Sequence, residues 1–372
     1  MRVLICPDSH KGGPTAIVVA DTIKRAWLSV RDRDHTTILA IADGGEGTAA
    51  ILAEAENATP HVTRVTGSLG EPIHAAWFLS KDTGTAIIEL AQSSGLALVE
   101  PTDRDIRRAT TRGLGECVKE ALETGATNLI LTLGGSSSND GGAGFAAALG
   151  AQATNAAGKP CADGGVDLLN AVALKRDLNP LCTHVKSVKV AVDVHNFLVG
   201  DQGAAAVFGP QKGATTEDIP LLDAAMEAWL KLCDMADFTG AGAAGGTAVG
   251  IKCIFPDATF TSGINLVLDT VGFDDALRCS DLVLTSEGCF DAQTMAGKAI
   301  SGIAARAHTQ GIPVIIIAGM VSNNLEASDI PAGITRVLRT TTVPISSIPD
   351  RIANLYKTTQ QVARDYTNAL KP

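Results

Sequence analysis

Three short runs of the chain gather acids, amides and a lysine among glycines: Pro7-Asp8-Ser9-His10-Lys11-Gly12-Gly13, Ala42-Asp43-Gly44-Gly45-Glu46-Gly47-Thr48 and Gly134-Gly135-Ser136-Ser137-Ser138-Asn139-Asp140-Gly141-Gly142. Each follows an apolar stretch that reads as a buried strand, and each precedes helix-forming sequence. That pattern puts polar groups at the carboxyl ends of strands, where open α/β sheets bind their ligands. Glycine lets backbone N–H groups approach an anion closely, while Asp and Glu beside it suit a hard cation. Glycine, carboxylate and lysine together point to a metal-bound phosphate.

At 372 residues the chain is longer than a single core usually grows, so two domains are expected. Apolar residues make up 45%, aromatics only 4%, and glycine reaches 38 residues, a composition that fits α/β layers better than an all-β sandwich. A formal net charge of −10 offers no basic stripe for a phosphodiester backbone and argues against nucleic acid as a partner. It does not exclude a nucleotide, whose field is set locally by magnesium and a few lysines. The eight cysteines are scattered without zinc-ligand or redox spacing and read as reduced, mostly buried thiols. The chain opens on the strand-like Arg2-Val3-Leu4-Ile5-Cys6, carries no signal-peptide pattern, and has no apolar run of membrane-spanning length, so a soluble cytoplasmic protein without a membrane partner is expected. A homo-oligomer is allowed.

Along the chain, strand and helix alternate at first, with strands near 2–7 and 36–42 and helices after Pro14 and from Glu46. Residues 61–67, 73–80 and 85–91 then read as an antiparallel meander, so a second domain is expected from about Thr66. It contains a helix over Thr111–Thr124 stopped at Gly125, a strand at Leu129–Leu133, a strand at Val188–Val192 and a helix over Thr216–Met235. The stretch Gly240–Gly250 is too rich in glycine for a regular element and reads as a closely packed loop. From Asp281 the early alternation returns. Five parallel-type strands from both chain ends then form a doubly wound sheet interrupted by an insertion, giving domains 1–66 with 280–372, and 67–279.

Lys11 follows a strand end with no helix face to lie along, and a solvated loop lysine is its plain alternative. Lys298 stands where a strand runs through Glu287, Asp291 and Gln293 into a helix start, a place where backbone N–H groups and an ammonium can hold an anion. A salt bridge to Asp291 would explain the same lysine. Asp193 and Asn196 end another strand, which suits either orienting a hydroxyl or closing an Asx turn. Lys212, in Gly209-Pro210-Gln211-Lys212-Gly213, reads by itself as exposed. Gly45-Glu46-Gly47-Thr48-Ala49-Ala50 formally matches a dinucleotide turn, but Asp43 and Glu46 stand where a pyrophosphate would approach. A dinucleotide-dependent oxidoreductase is therefore a lesser alternative. No Walker A pattern occurs, and the seven histidines show no metal-ligand spacing.

Taken in order, these runs resemble the type 1 glycerate kinase family over nearly the whole chain. The matching segments are Pro7-Asp8-Ser9 with Lys11-Gly12, the unbroken Ala42 to Thr48, Gly134-Gly135-Ser136 with Asn139 to Gly144, Asp193-Val194 with Asn196, Gly203 to Ala205 with Phe208 to Ala214, Ala243 to Gly246, and Glu287-Gly288 with Asp291, Gln293-Thr294 and Gly297-Lys298. The resemblance implies ATP-dependent phosphorylation of D-glycerate with magnesium, usually giving 2-phosphoglycerate. It implies a flavodoxin-like domain from both chain ends and an inserted α/β domain with a mixed, restriction-endonuclease-like sheet, with the site in the cleft between them. Lys11, Asp193 and Lys298 are then expected to be catalytic, the lysines on carboxylate or phosphoryl and Asp193 as general base. Asp8, Ser9, Gly44, Gly45, Asn139, Asp140, Asn196 and Gln293 are expected to line the substrate. Gly134, Gly135, Ser136, Gln211, Lys212, Gly245 and Gly246 are expected at the nucleotide, and Asp43, Glu46 and Asp291 at the metal. The chain departs from the family pattern at His10 (usually Phe), Gly13-Pro14 (Ser-Leu), Phe197 and Ile300 (Pro), Ser286 (Gly) and Cys289 (Arg or Lys). Those departures keep two variants open, a different small hydroxy acid as substrate and a weakened binding or sensor relative.

Overall fold

The computed structural model describes residues 1–10, 12–42, 47–291, 299–322, 330–343 and 345–369. The chain divides into two compact units, Met1–Asp43 with Ile264–Pro372, and Gly44–Gly263. Among the described residues no helix is long and apolar enough to cross a membrane.

The first unit is built on a five-stranded sheet whose strands lie in the order His35–Ile38, Arg2–Ile5, Leu282–Thr285, Val314–Ala318, Ile334–Arg339. Every pairing in it is parallel. Numbered within the unit, this is the order 2-1-3-4-5, with the reversal between the first strand and Leu282–Thr285, the kind of switch point that opens a crevice at the carboxyl edge. Val3, Leu4, Ile5, Leu282, Val283, Leu284 and Val314 to Ala318 are all buried, the continuous apolar runs of a sheet covered on both faces. Helix Ala16–Leu28 starts at Thr15, whose hydroxyl accepts from the Val18 N–H. It turns Val19, Ile23 and Trp27 into a core shared with Leu355 and Val362 of the terminal helix Ile348–Ala369.

The second unit carries a six-stranded mixed sheet in the order Thr259–Thr261, Ser187–Ala191, Asn128–Thr132, Thr85–Glu89, Pro72–Ser80, Thr59–Thr66. The first four run parallel and the last two are antiparallel additions. Helices Arg112–Glu123, Asp218–Cys233 and Thr247–Ile254 contribute Leu114, Val118, Met226, Trp229, Val249 and Ile251 to its core.

Two features differ from the sequence reading. The units divide near residues 43 and 263, earlier than 66 and 279, because strand Thr59–Thr66 pairs along its whole length with Pro72–Ser80. The stretch Gly240–Gly250 is not all loop: a 3₁₀ turn at Ala243–Gly246 passes into helix Thr247–Ile254. Left-handed Gly245 and Gly246 make that entry, and Thr247 Oγ1 donates to the Ala244 carbonyl at 2.7 Å, so a local glycine cluster serves as a helix start.

Candidate functional site

In the second unit the four parallel strands bring their carboxyl ends to one edge, and the polar runs stand there. Strand Thr85–Glu89 leads to Ser93 and Ser94, Asn128–Thr132 to the turn Gly134–Asp140, and Ser187–Ala191 to Asp193 and Asn196. The turn is framed from both sides. Ser94 lends its carbonyl to the Ser137 N–H and hydroxyl, each at 2.9 Å, and Ser137 Oγ also lies 2.7 Å from Ser68 Oγ.

Asp140 has no exposed surface. Its Oδ2 accepts from the Thr111 N–H at 2.8 Å, the Thr111 hydroxyl at 2.9 Å, the Gly144 N–H at 3.2 Å and the Thr110 hydroxyl at 3.4 Å; its Oδ1 accepts from the Gly142 N–H at 3.0 Å. Burial raises its pKa against those hydrogen bonds. Expected among the substrate contacts, Asp140 is placed as the internal anchor that folds the glycine-rich turn onto helix Arg112–Glu123. Asn139, beside it, is equally buried, yet neither its Nδ2 nor its Oδ1 has a partner.

Lys212, which the sequence suggested as exposed, is 3% exposed. Its Nζ donates to Ser136 Oγ at 2.8 Å and to the Ser138 carbonyl at 2.7 Å, both neutral partners. Burial pushes its ammonium down to about 7, opposed by the charge of Asp140. Ser136 and Lys212, read from segments far apart in sequence, are thus joined directly. The neighbouring Gln211 and the turn glycines Gly134 and Gly135 are exposed. Gly245 and Gly246 are buried behind the turn, with the Gly141 N–H donating to the Gly245 carbonyl at 2.9 Å.

Asp193 is exposed, and its Oδ1 accepts from the Gly263 N–H at 2.7 Å. Asn196 donates from Nδ2 to the Gln202 carbonyl at 2.8 Å. Sequence reasoning missed Glu89, a buried acid ending an otherwise apolar strand, whose Oε1 accepts from the Ala49 N–H at 2.9 Å at the start of helix Thr48–Ala55. An acid closing a buried run was the available signal. It also missed Ser94, in a Ser-Ser-Gly turn after the same strand, and Arg104, which has no local signature.

A groove of about 450 Å³ in this unit lies elsewhere, between strand Thr59–Thr66 and helix Arg112–Glu123, bordered by Arg64, Glu116, Lys119 and Glu120. None of the expected site residues lines it.

In the first unit Asp8 and Ser9 follow strand Arg2–Ile5, and the segment after Leu282–Thr285 runs alongside, with the Asp8 N–H donating to the Ser286 carbonyl at 2.9 Å. Asp8 Oδ1 accepts from the Ser9 N–H at 2.6 Å. Two departures from the family pattern meet here: His10 Nε2 lies 2.9 Å from Ser286 Oγ, which donates to the Ile317 carbonyl at 2.6 Å. The serine's one proton is spent on Ile317, so the imidazole is the donor and carries its hydrogen on Nε2. Burial pushes His10 down to about 4, with the charge of Arg351 adding to the effect. Asp291 is half-buried, and its charge and that of Glu287 both raise the thiol pKa of exposed Cys289, after burial. Among the described residues no group of three or more His, Cys, Asp or Glu could hold a metal alone. Lys11, Asp43, Gly44, Gly45, Glu46, Gln293 and Lys298 lie outside the described residues.

Comparison with known proteins gives one consistent result. The model of the glycerate kinase family matches residues 3–370. Glycerate kinase of Bacillus subtilis (strain 168) is 40% identical over 335 residues, covering 88% of this chain and 87% of its own. Glycerate 2-kinase of Escherichia coli (strain K12) is 40% identical over 336 residues, covering 87% of each. A crystal structure of a protein from Salmonella typhimurium LT2, provisionally named glycerate kinase 2, superposes with a TM-score of 0.89 at 36% identity, covering 99% of each chain.

Proposed function

The chain belongs to the glycerate kinase family, and from that premise we propose that it transfers the γ-phosphoryl group of ATP to a hydroxyl of D-glycerate, giving 2-phosphoglycerate and ADP. The observation that carries this reading is the buried ammonium of Lys212, held on Ser136 Oγ and the Ser138 carbonyl at the end of a parallel strand. A cation set into a glycine-rich turn at a carboxyl edge suits a phosphate chain. The names of the relatives support glycerate as acceptor and its 2-hydroxyl as the position phosphorylated.

In this reading Gly134, Gly135, Ser136, Gln211 and Lys212 receive the nucleotide, with Gly245 and Gly246 packed behind them. Asp8, Ser9, Gly44, Gly45, Asn196 and Gln293 bind the acid, and Lys11 and Lys298 meet its carboxylate or the moving phosphoryl group. Asp193, exposed at a strand end beside Asn196, takes the hydroxyl proton. Magnesium neutralises phosphate charge when bound, and Asp291 with Asp43 and Glu46 would hold it, since such sites need only one or two carboxylates beside phosphates and water. Phosphoryl transfer asks a protein mainly for positioning and charge neutralisation, the two things these residue types supply. The accompanying fold reading is a flavodoxin-like first unit, supported by its 2-1-3-4-5 order, and a restriction-endonuclease-like second unit, supported by its mixed sheet.

Coupling ADP release to NADH oxidation tests the activity. ADP should form with D-glycerate and Mg-ATP, fall to background when the metal is chelated, and form far more slowly with L-glycerate or lactate. ADP release indifferent to D-glycerate would defeat the reading.

A further inference from the structure

A buried polar atom that finds no partner has given up its hydration for nothing, so folded proteins leave few of them, and those few mark an unseen ligand, water or ion. Among the described residues, the buried side-chain nitrogens and oxygens without a partner are Ser94 Oγ, Arg104 Nε, Ser138 Oγ and the Nδ2 and Oδ1 of Asn139. They are not scattered through the molecule. Ser138 and Asn139 form the centre of the turn that Lys212 holds. Ser94 frames that turn from the neighbouring strand end through its bonds to Ser137. Arg104 supports the Lys212 segment: its Nη1 donates to the Gln211 carbonyl at 2.9 Å, and a Cβ on Gly213 would lie 3.0 Å from its own.

We propose that Ser94, Arg104, Ser138 and Asn139, gathered around Lys212, form an oxyanion pocket that receives the phosphate oxygens of the nucleotide; this deepens the kinase reading and rests on it. The chemistry of the unpartnered atoms selects the ligand. Two hydroxyls, an Nε–H and an amide NH₂ can all donate, and only Asn139 Oδ1 is confined to accepting. Lys212 has three ammonium hydrogens and spends two on neutral oxygens. An excess of donors beside two cationic side chains calls for an anion rich in acceptors, and a polyphosphate presents more such oxygens than a carboxylate does. The nearest buried acid, Asp140, competes for none of these donors, because its oxygens are taken by Thr110, Thr111, Gly142 and Gly144. Gly134 and Gly135, at the start of the turn, are exposed.

The test is isothermal titration of the full-length protein with pyrophosphate, with ADP and, separately, with D-glycerate. It uses wild type, Asn139→Asp, which keeps shape and reverses the charge preference, and the milder Ser138→Ala and Arg104→Gln, with thermal unfolding as the check on folding. Pyrophosphate and ADP should bind wild type, weaken about tenfold or more in Asn139→Asp and about threefold or more in each milder variant, while D-glycerate affinity holds within about twofold in Ser138→Ala and Arg104→Gln. If Asn139→Asp does not fold, the two milder variants decide. Wild-type pyrophosphate affinity in the variants, no pyrophosphate binding at all, or a loss confined to D-glycerate would each overturn the pocket. Turnover of D-glycerate without pyrophosphate binding would discard the pocket alone, and pyrophosphate binding without turnover would discard the glycerate reading alone.

Discussion

The imidazole of His10 shows how much a single buried group can set. It is 5% exposed, donates from Nε2 to Ser286, and is pushed down to about 4 by burial and by the charge of Arg351. Its ordinary value is 6.5, so between about pH 6.5 and 4 the unfolded chain binds a proton that the folded chain refuses. Stability from this group is therefore complete above about 6.5 and falls as the pH drops. By pH 5 the loss reaches about 2 kcal/mol. His10→Gln, which can still donate to Ser286 but does not titrate, should lose less stability than wild type between pH 7 and pH 5 in urea unfolding. Parallel curves for the two proteins would show that His10 is not held neutral. His10 and Ser286 both depart from the family pattern, but nothing in a linear reading joins positions 276 residues apart.

At the scale of elements, the polar runs were legible because a strand, a glycine turn and a helix start leave a local pattern, and the structure does put Gly134 to Asp140 and Asp193 at the ends of parallel strands. What each side chain does there was not legible. Asn139 and Asp140 are neighbours of similar size, yet one carboxylate takes the surrounding donors and the adjacent amide takes none. Lys212 read as an exposed turn residue because its burial depends on packing against a segment more than 70 residues earlier. The helix inside Gly240–Gly250 was hidden for a related reason: its glycines answer to tertiary contact. A Cβ on Gly245, at φ +65°, would stand 2.1 Å from the Ser138 carbonyl oxygen and 2.6 Å from the Asn139 Cα. Gly245→Ala should therefore lower stability by about 2 kcal/mol or more and displace the Ser138–Asn139 turn. Thermal unfolding together with the nucleotide KM checks both effects. An unshifted midpoint with an unchanged KM would mean the two segments are not packed as described.

For the whole molecule, the return of strand–helix alternation after Asp281 was enough to foresee a parallel sheet made from both chain ends, and the five strands pair that way. The division near residue 43 leaves no local mark, because a strand that begins a new unit carries the same apolar spacing as one that continues the old. Since Leu355 of the terminal helix is buried in one core with Val19, Ile23 and Trp27, Leu355→Ala should cost the first unit about 3 kcal/mol. ¹⁹F NMR of 5-fluorotryptophan protein would follow this at Trp27, which lies in that core, and a Trp27 transition at the wild-type urea concentration would contradict it. The central claim is chemical, and ³¹P NMR of the protein incubated with Mg-ATP and D-glycerate tests it most directly. The account predicts that the ATP resonances give way to ADP and to the phosphomonoester of 2-phosphoglycerate; a 3-phosphoglycerate signal, or ADP with inorganic phosphate alone, would contradict it.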